Sequence, residues 1–246
     1  MGTLIPRRDI QPTPLELTGN PFSIPDVERL FLFDGNLNEE TAGSDLFSTT
    51  VGSAQYRDSI FPGMQCLYLD GFSVFEYDAT ETNPYEQTGA MSIVAVTAPL
   101  SVNPGYIMST SRTAGDQESY NNLWSLKLQQ TYATEPSQII AFHESGAGTN
   151  QEAVSERGPR LGEWSCVGWT RPTAATSYTF YEAGLPAGVD TGLAAPTGGS
   201  DSFLALGGFS GGGFEEYKGY VALIAFWWEE LTAEQMRKID KVLMGR

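Results

Sequence analysis

Cysteine, histidine and basic residues are scarce in this sequence, and each scarcity removes a class of function. Two cysteines and one histidine occur in 246 residues, which excludes a zinc site with four Cys and His ligands. His143 is the only histidine available to a catalytic triad. The 14 lysines and arginines are outnumbered by 30 aspartates and glutamates, giving a net charge of −16. Such an acidic surface repels phosphate backbones, which argues against nucleic-acid binding.

The two cysteines lie in strand-like segments, Cys66 in QCLYL and Cys166 in WSCVGW. A free thiol at such a position packs as a small apolar side chain. Spacing alone does not decide between two buried thiols and a disulfide, so both alternatives stay open.

Long apolar runs are also missing. No segment approaches the roughly 20 apolar residues of a transmembrane helix, which argues against a membrane-spanning protein. The first residues, MGTLIPRRDIQPTP, include two arginines but no apolar core of a cleaved secretory signal. We therefore expect a protein that stays in the cytosol or leaves the cell by another route.

The residues that are abundant favour an all-β fold. Glycine occurs 27 times, 12% of the residues are aromatic, and long helical patterns are few. Leu30–Phe33, Cys66–Phe75 and Ala90–Ala98 are typical of strands, and Asp70-Gly71 predicts a hairpin turn within the second segment. About eleven or twelve such strands, separated by regular turns, predict a sandwich or barrel.

The chain ends in a predicted strand and helix. Val221–Trp228 is an unbroken apolar run, too short for a membrane span, which predicts a buried strand. Thr232 and Gln235 have the spacing of a capping box, and Gly245 is placed to end the helix. Residues at helical spacing form one apolar stripe: Met236, Ile239 and Leu243.

Residues 1–29 are predicted to form an extended, proline-rich arm, because five prolines break any helix or central strand there. Apolar residues are more frequent in it than in a typical disordered tail. They include Leu4, Ile5, Ile10, Leu15, Leu17 and Phe22. We expect these side chains to anchor the arm on another surface. Composition does not change after the arm, so residues 30–246 are predicted to form one domain.

Six segments, in their order and spacing, resemble the laminin-G-like, concanavalin A-type jelly roll. They are RLFLFDGNLNEETAG, CLYLDGFSVFEY, GAMSIVAVTAPL, GEWSCVGWTRPTAATSYTFYEAGLPAG, SFLALGGF and KGYVALIAFWWEELTAEQMRKI. The resemblance covers about residues 29–244. It implies an antiparallel β-sandwich with one short C-terminal helix, and it implies little about function, because one fold hosts many functions.

Many members of that family hold a calcium ion, partly through an acidic or amide residue after the first strand. Asp34 and Asn36 match this position, so the resemblance makes calcium the one cofactor to consider. The family's second ligand position falls near Ala222, which has no atom that binds a cation. Asp34-Gly35-Asn36 is also typical of a simple turn.

Relatives of this fold include glycoside hydrolases, whose chemistry needs two carboxylates facing one groove. Their Glu-x-Asp-x-x-Glu pattern is absent here. Glu76 and Asp78 have suitable spacing but lie at the end of a predicted strand, and His143 has no nucleophile beside it. We therefore expect a protein that is not an enzyme.

Glycan binding is easier to argue, because sugars stack on exposed aromatic rings that also offer hydrogen bonds. Tyr85, Tyr106 and Tyr120 lie in or beside predicted loops and are the candidates for contacting a glycan, with packing in the core or against the arm as the alternative for each. Trp164 and Trp169 lie in a predicted strand and are expected in the core.

Two functions follow as hypotheses. The first is a non-enzymatic structural or decoration protein of a virus particle, with a bacteriophage as the first candidate. Its arm would bind other particle proteins, or further copies in a symmetric oligomer. Its β-sandwich, carried on a virion assembled in the host cytoplasm, would meet host polysaccharide. The second is a free carbohydrate-binding module or adhesin, and a glycoside hydrolase is a less favoured third.

Overall fold

The structure is a computed structural model. It describes residues 26–37, 40, 47–77, 85, 87–111, 124–129, 137–145, 149–196, 203–208 and 215–245. The six apolar residues expected to anchor the arm, from Leu4 to Phe22, lie outside this part of the chain, as do Asp78 and Tyr120, so the predictions for them stay predictions.

Fifteen strands and one helix are formed by the described residues. The strands are β1 (Arg29–Leu32), β2 (Ser48–Val51), β3 (Gln55–Asp58), β4 (Gln65–Asp70), β5 (Val74–Tyr77), β6 (Met91–Pro99), β7 (Gly105–Ser111), β8 (Ser125–Gln129), β9 (Gln138–Glu144), β10 (Asn150–Val154), β11 (Ser165–Arg171), β12 (Ser177–Glu182), β13 (Leu185–Thr191), β14 (Phe203–Leu206) and β15 (Lys218–Trp227). Helix α1 spans Ala233–Met244.

The strands form two antiparallel sheets, which we name sheet A and sheet B. Sheet A has eight strands in the order β13-β12-β11-β6-β15-β4-β3, and β1 pairs with the second half of β15. Sheet B has seven strands in the order β10-β9-β8-β7-β14-β5-β2. Neighbouring strands in the sequence are often not neighbours in a sheet, which is typical of sandwiches rather than simple meanders.

The main core lies between the inner faces of the two sheets. Side chains alternate along each strand, so Ile93 and Ala95 of β6 enter this core while Val94 and Val96 face the other way. Trp169 of sheet A is fully buried in the core, and its Nε1–H donates to the Ser125 carbonyl of sheet B at 2.9 Å. This bond satisfies the indole while joining the two layers.

Helix α1 covers part of the outer face of sheet A. Its predicted apolar stripe packs into a second cluster with outward-facing residues of β6 and β15: Met236, Ile239, Leu243, Val94, Val96, Leu223 and Trp227. Sheet A is therefore buried on both faces over much of its area. This explains why β6 and β15 are apolar runs rather than alternating patterns.

The capping box predicted at the start of the helix is confirmed. Thr232 Oγ1 accepts the Gln235 N–H at 3.3 Å, and Gln235 Oε1 accepts the Thr232 N–H at 2.7 Å. Gly245 ends the helix in the left-handed conformation with φ 67°, which glycine adopts without a Cβ clash.

Four strands were not predicted from the sequence: β2, β3, β10 and β13. All four lie at the edges of the two sheets. An edge strand pairs on one side only and its side chains are often exposed, so its sequence needs little apolar alternation. β13, for example, reads LPAGVDT and alternates mainly between exposed and half-buried residues.

The question of the cysteine pair is settled by the strand order. Cys66 on β4 and Cys166 on β11 are separated by β15 and β6, and both are buried thiols outside any disulfide. Three strand spacings amount to about 14 Å, twice the Cα separation that a disulfide can bridge. Burial raises the pKa of the Cys66 thiol to about 11, so this cysteine stays protonated at neutral pH.

Within the described part of the chain, no helix is long and apolar enough to cross a membrane.

We expect the substitution Thr232→Ala to lower the free energy of unfolding by about 1 kcal/mol, because the Gln235 N–H loses its acceptor. Urea denaturation followed by tryptophan fluorescence measures this change. Thr232→Ser keeps the hydroxyl and is the matched control. Equal loss in both variants would show that the methyl group, and not the cap, contributes the stability.

Candidate functional site

Tyr85, the first tyrosine expected to contact a glycan, is fully buried. Its ring packs 6.1 Å from Phe31 and 5.5 Å from Phe226, measured between centroids. Its carbonyl accepts the Trp124 indole N–H at 2.8 Å. The expectation of an exposed ring was wrong, because the Tyr85 ring packs into the main core between the sheets.

Tyr106 is also buried, with 3% of its surface exposed. Lys127 Nζ lies 5.2 Å from the centroid of its ring and forms an ion pair with Glu215 at 2.8 Å. The ring is therefore covered by a charged pair, and the expectation that it faces solvent was wrong as well. The third residue, Tyr120, lies outside the described residues.

The outer face of sheet B is closed at its centre. The cross-strand register places Ala205, Ser109 and Ser125 side by side, and all three are fully buried. Phe142 and Glu152 pair at the β10 edge and are more exposed. Among the described residues, the centre of this face therefore offers a ligand no exposed side chain.

Asp34 and Asn36, the residues suggested for calcium, form a turn that is tied to β4. Asp34 Oδ1 accepts the backbone N–H of Gln65 at 2.7 Å, and Asn36 Nδ2 donates to the Asp34 carbonyl at 3.4 Å. Among the described residues there is no group of three or more His, Cys, Asp and Glu side chains that could hold a metal ion. Calcium binding by Asp34 and Asn36 stays a prediction.

His143 is buried between the sheets, in a chain of hydrogen bonds with Tyr178 and Arg171. Its Nε2 lies 2.7 Å from the carbonyl oxygen of Ala194, so this nitrogen carries the proton. Its Nδ1 accepts from the Tyr178 hydroxyl at 2.8 Å, and that hydroxyl accepts from Arg171 Nη1 at 3.2 Å. The imidazole is thus held neutral and away from the surface.

Arg171 also donates to backbone carbonyls at the start of β6. Its Nε bonds to Gly89 O at 3.0 Å, and its Nη2 bonds to Gln87 O. The chain of bonds therefore connects the segment before β6 with the segment after β13 through side chains of three strands, β11, β12 and β9. Glu76, the other residue considered for catalysis, is half-buried on β5, with its expected partner Asp78 outside the described residues.

Three aromatic rings lie next to one another on the outer face of sheet A, beyond the area that helix α1 covers. They are Tyr68 on β4, Tyr220 on β15 and Trp164 just before β11, and we call them the aromatic row. Tyr68 and Tyr220 are directly paired across the ladder, and Ala98 of β6 pairs with Tyr220 on its other side. The small Ala98 leaves room for the larger indole to reach Tyr220.

The rings of the aromatic row contact one another and remain partly open to solvent. The Tyr68 and Tyr220 centroids are 5.3 Å apart with planes at 40°, and the Tyr220 and Trp164 centroids are 6.1 Å apart with planes at 28°. All three residues are half-buried, whereas Trp169 and Phe180 of the main core are fully buried.

A guanidinium lies at the β3 end of the aromatic row. Arg57 is exposed, and its Cζ lies 5.6 Å from the centroid of the Tyr68 ring. Nη1 donates to the Tyr56 carbonyl at 2.8 Å and Nη2 to Gln55 Oε1 at 3.0 Å. These bonds fix the plane of the guanidinium and use two of its five N–H groups.

The surface continues from the row to the β4–β5 turn. Lys218, two residues before Tyr220, is exposed, and its stem passes 3.4 Å from where a Cβ of Gly71 would lie. Asp70 Oδ1 accepts the N–H groups of Phe72 and Ser73 at 3.0 and 2.9 Å, which holds the turn rigid. The Phe72 side chain at its tip is 73% exposed.

No protein-family model and no curated sequence matches this chain. Solved structures do match. Domain 4 of an extracellular GH43 arabinanase from Geobacillus stearothermophilus, in complex with arabinotriose, has a TM-score of 0.65 at 14% identity, covering 87% of this chain and 98% of that one.

Two further structures agree with this result. The CBM40 of a Ruminococcus gnavus sialidase, bound to α2,3-sialyllactose, has a TM-score of 0.58 at 11% identity over 71% of this chain and 96% of that one. The receptor-binding domain of botulinum neurotoxin type G has a TM-score of 0.59 at 13% identity, covering 87% of this chain but 50% of that one. At these identities the likeness establishes the fold alone. The predicted lectin-like, jelly-roll β-sandwich is confirmed.

The aromatic row was missed in the sequence, although a signal for it exists. In QCLYLD, Tyr68 lies between the core residues Leu67 and Leu69, so its side chain points to the other face of the strand. In EWSCVGW, the two tryptophans are five residues apart, one at an even and one at an odd position. Opposite parity puts Trp164 and Trp169 on opposite faces of a strand. Assigning both tryptophans to the core was therefore wrong for Trp164.

We expect stability to fall as the pH drops below about 6.5, the usual pKa of an unfolded histidine. Burial lowers the pKa of His143, and the Arg171 charge lowers it further against the opposing hydrogen bond to Ala194. Below this pH the unfolded chain binds a proton at His143 that the folded chain does not bind. The free energy of unfolding therefore falls by up to about 1.4 kcal/mol per pH unit.

Urea denaturation of the wild type and of His143→Gln between pH 5 and 7.5 tests this expectation. The variant keeps a side chain that can both donate and accept, and it should lose the slope in this range. Parallel curves for the two proteins would exclude His143 as the titrating group.

Proposed function

We propose that this chain is a non-catalytic glycan-binding β-sandwich and that the aromatic row is its binding surface. The observation that carries the proposal is the row itself: Tyr68, Tyr220 and Trp164 in mutual contact, half-buried, beside the fixed guanidinium of Arg57. Aromatic rings take up the apolar faces of sugars, while the tyrosine hydroxyls, the indole N–H and the guanidinium can bond to sugar oxygens.

The exposure of these rings supports binding over a purely structural role. A side chain that only fills space gains most when it is fully removed from water, as Trp169 is. Three adjacent rings that stay partly in water form an apolar patch, and such patches mark interaction sites. The likeness to domains solved with arabinotriose and with α2,3-sialyllactose is consistent with a glycan as the partner.

The proposal that binding occurs without catalysis is supported by the position of the candidate acids and bases. His143 is buried and engaged at both ring nitrogens. Glu76 lies on sheet B, which is the sheet opposite the aromatic row. A reducing-end assay on every polysaccharide that the protein binds tests this part of the proposal, and release of reducing ends would contradict it.

We expect the substitution Tyr220→Ala to weaken glycan binding by about tenfold or more, because Tyr220 is the central ring and contacts both others. The measurement is a glycan array of plant, fungal and bacterial polysaccharides that also carries arabinotriose and α2,3-sialyllactose. Isothermal titration with the bound glycans then gives the affinities.

Phe142→Ala is the matched control, because Phe142 is also a half-buried aromatic but lies on the outer face of sheet B. It should bind as the wild type does. Failure of the wild type to bind any polysaccharide on the array would overturn the proposed function. Equal weakening in both variants would overturn the assignment to the aromatic row.

We further propose that the module is a component of a virus particle and that residues 1–29 attach it there. The prolines and the interspersed apolar side chains of this segment support an anchoring role. The aromatic row supports a free carbohydrate-binding module equally well. The behaviour of the arm is what distinguishes that alternative from a particle component.

We expect a variant that begins at Asp26 to be a monomer and the full-length chain to associate, as measured by light scattering. The variant keeps Val27, which is buried beside helix α1, and Glu28, whose N–H donates to Phe226 O at 2.9 Å. Its stability should therefore not change. In the full-length chain, substitution of Leu15 and Leu17 by serine removes apolar side chains of the arm without shortening the chain. It therefore separates the effect of these side chains from the effect of chain length. Two monomers of equal stability would contradict self-association through the arm.

A further inference from the structure

We propose that the aromatic row binds one extended glycan chain that lies across the strands from Arg57 to Trp164. The bound residues would belong to the interior of a soluble polysaccharide chain, not to its terminal sugar and not to the surface of an insoluble crystal. This inference rests on the proposed function and defines the class of glycan that the same surface takes.

The length of the row is the first reason. Tyr68 and Tyr220 come from β4 and β15, and Trp164 directly precedes β11, with Ala98 of β6 between the last two strands. The ring centroids are 5.3 Å and 6.1 Å apart, and the guanidinium of Arg57 on β3 lies 5.6 Å beyond the Tyr68 centroid. A single sugar ring covers one aromatic ring of this row, so full use of the surface needs several linked sugars.

The open ends of the row are the second reason. Arg57 ends it on the β3 side and Glu163, next to Trp164, ends it on the other, and both residues are exposed. Ala98, which pairs with Tyr220 on the side toward Trp164, has only a methyl group as its side chain. A site for a terminal sugar needs a closed end that rejects a continuing chain, whereas this surface lets a chain run past both ends.

The rotation of the ring planes is the third reason. Neighbouring strands of a sheet are rotated with a fixed hand, and side chains that stand on them rotate in turn. The planes change by 40° from Tyr68 to Tyr220 and by 28° from Tyr220 to Trp164. A flat crystal face cannot contact all three rings at once, but a single chain can, because each glycosidic linkage allows rotation.

Arg57 gives the row a direction. Its guanidinium is fixed by Tyr56 O and Gln55 Oε1, and the remaining N–H groups are available to ligand oxygens. Vicinal hydroxyls and carboxylates both match this fork. The sugar next to Arg57 is therefore recognised through polar contacts as well, whereas the sugars further along the row are held mainly by contact with the aromatic rings.

The test uses the full-length protein and a ladder of mono- to hexasaccharides, cut by partial hydrolysis from the polysaccharide that binds best on the array. We expect the affinity to rise by at least about tenfold from the monosaccharide to the trisaccharide and then to level off. Microcrystalline cellulose, as an insoluble flat surface, should not retain the protein.

Variants at the ends of the row test the length of glycan that is bound. A residue with a purely structural role would not change this length. Tyr68→Ala removes the ring at one end of the row. The affinity of this variant should level off at an oligosaccharide one sugar shorter than for the wild type. Phe142→Ala should leave that oligosaccharide length unchanged. Urea denaturation of each variant checks that the fold is retained.

Three results would overturn the inference while leaving the proposed function intact. These are equal affinity for the monosaccharide and the hexasaccharide, an unchanged saturation length in Tyr68→Ala, and retention on microcrystalline cellulose. Absence of binding to every polysaccharide on the array is a different result, because it removes the proposed function and this inference together.

Discussion

Strand β15 pairs with three other strands and contributes side chains to two apolar layers, and the rest of the molecule is arranged around it. Its first residues pair with β4, its last residues pair with β1, and β6 follows it along its other edge. Ile224 and Phe226 enter the core between the sheets, while Leu223 and Trp227 face helix α1. The register shift between Val221 and Leu223 resets which residues face each side, so that Val221 and Ile224 both enter the core between the sheets.

The covering of sheet A by the helix is incomplete, and this is what creates the candidate site. Twelve helical residues are about 18 Å long, whereas the seven strands of the ordered path span about 29 Å. Trp164 and Tyr220 pack at the margin of the helix cluster and are half-buried there. The same rings thus protect the edge of an apolar layer and remain open to a ligand, and two of the three stand on strands.

The sequence predicts the interior of this fold better than its edges and its surface. The central strands can be predicted because burial on both faces requires uninterrupted apolar residues, as in Val221–Trp228. The helix can be predicted from its capping residues and its apolar stripe. The edge strands carry no such demand, and all four of them were missed. Tyr85 illustrates the limit for the site: whether a ring beside a loop faces water depends on where the loop folds, and that is a tertiary contact. Trp164 could have been placed outward from its parity with Trp169, but parity does not reveal that Tyr220, from the far end of the chain, lies beside it.

The two halves of β15 also separate the start of the domain from the aromatic row. β1 joins the half that ends at Trp227, and Tyr220 lies in the half that begins at Lys218. A pull exerted between a tether at residue 26 and a bound polysaccharide would therefore run lengthwise along a ten-residue strand of roughly 33 Å. The hydrogen bonds on both sides of that strand would then carry the load together, in shear, instead of opening one after another. If the proposed tether and glycan site are both correct, the strand that links them lies along the direction of the pull.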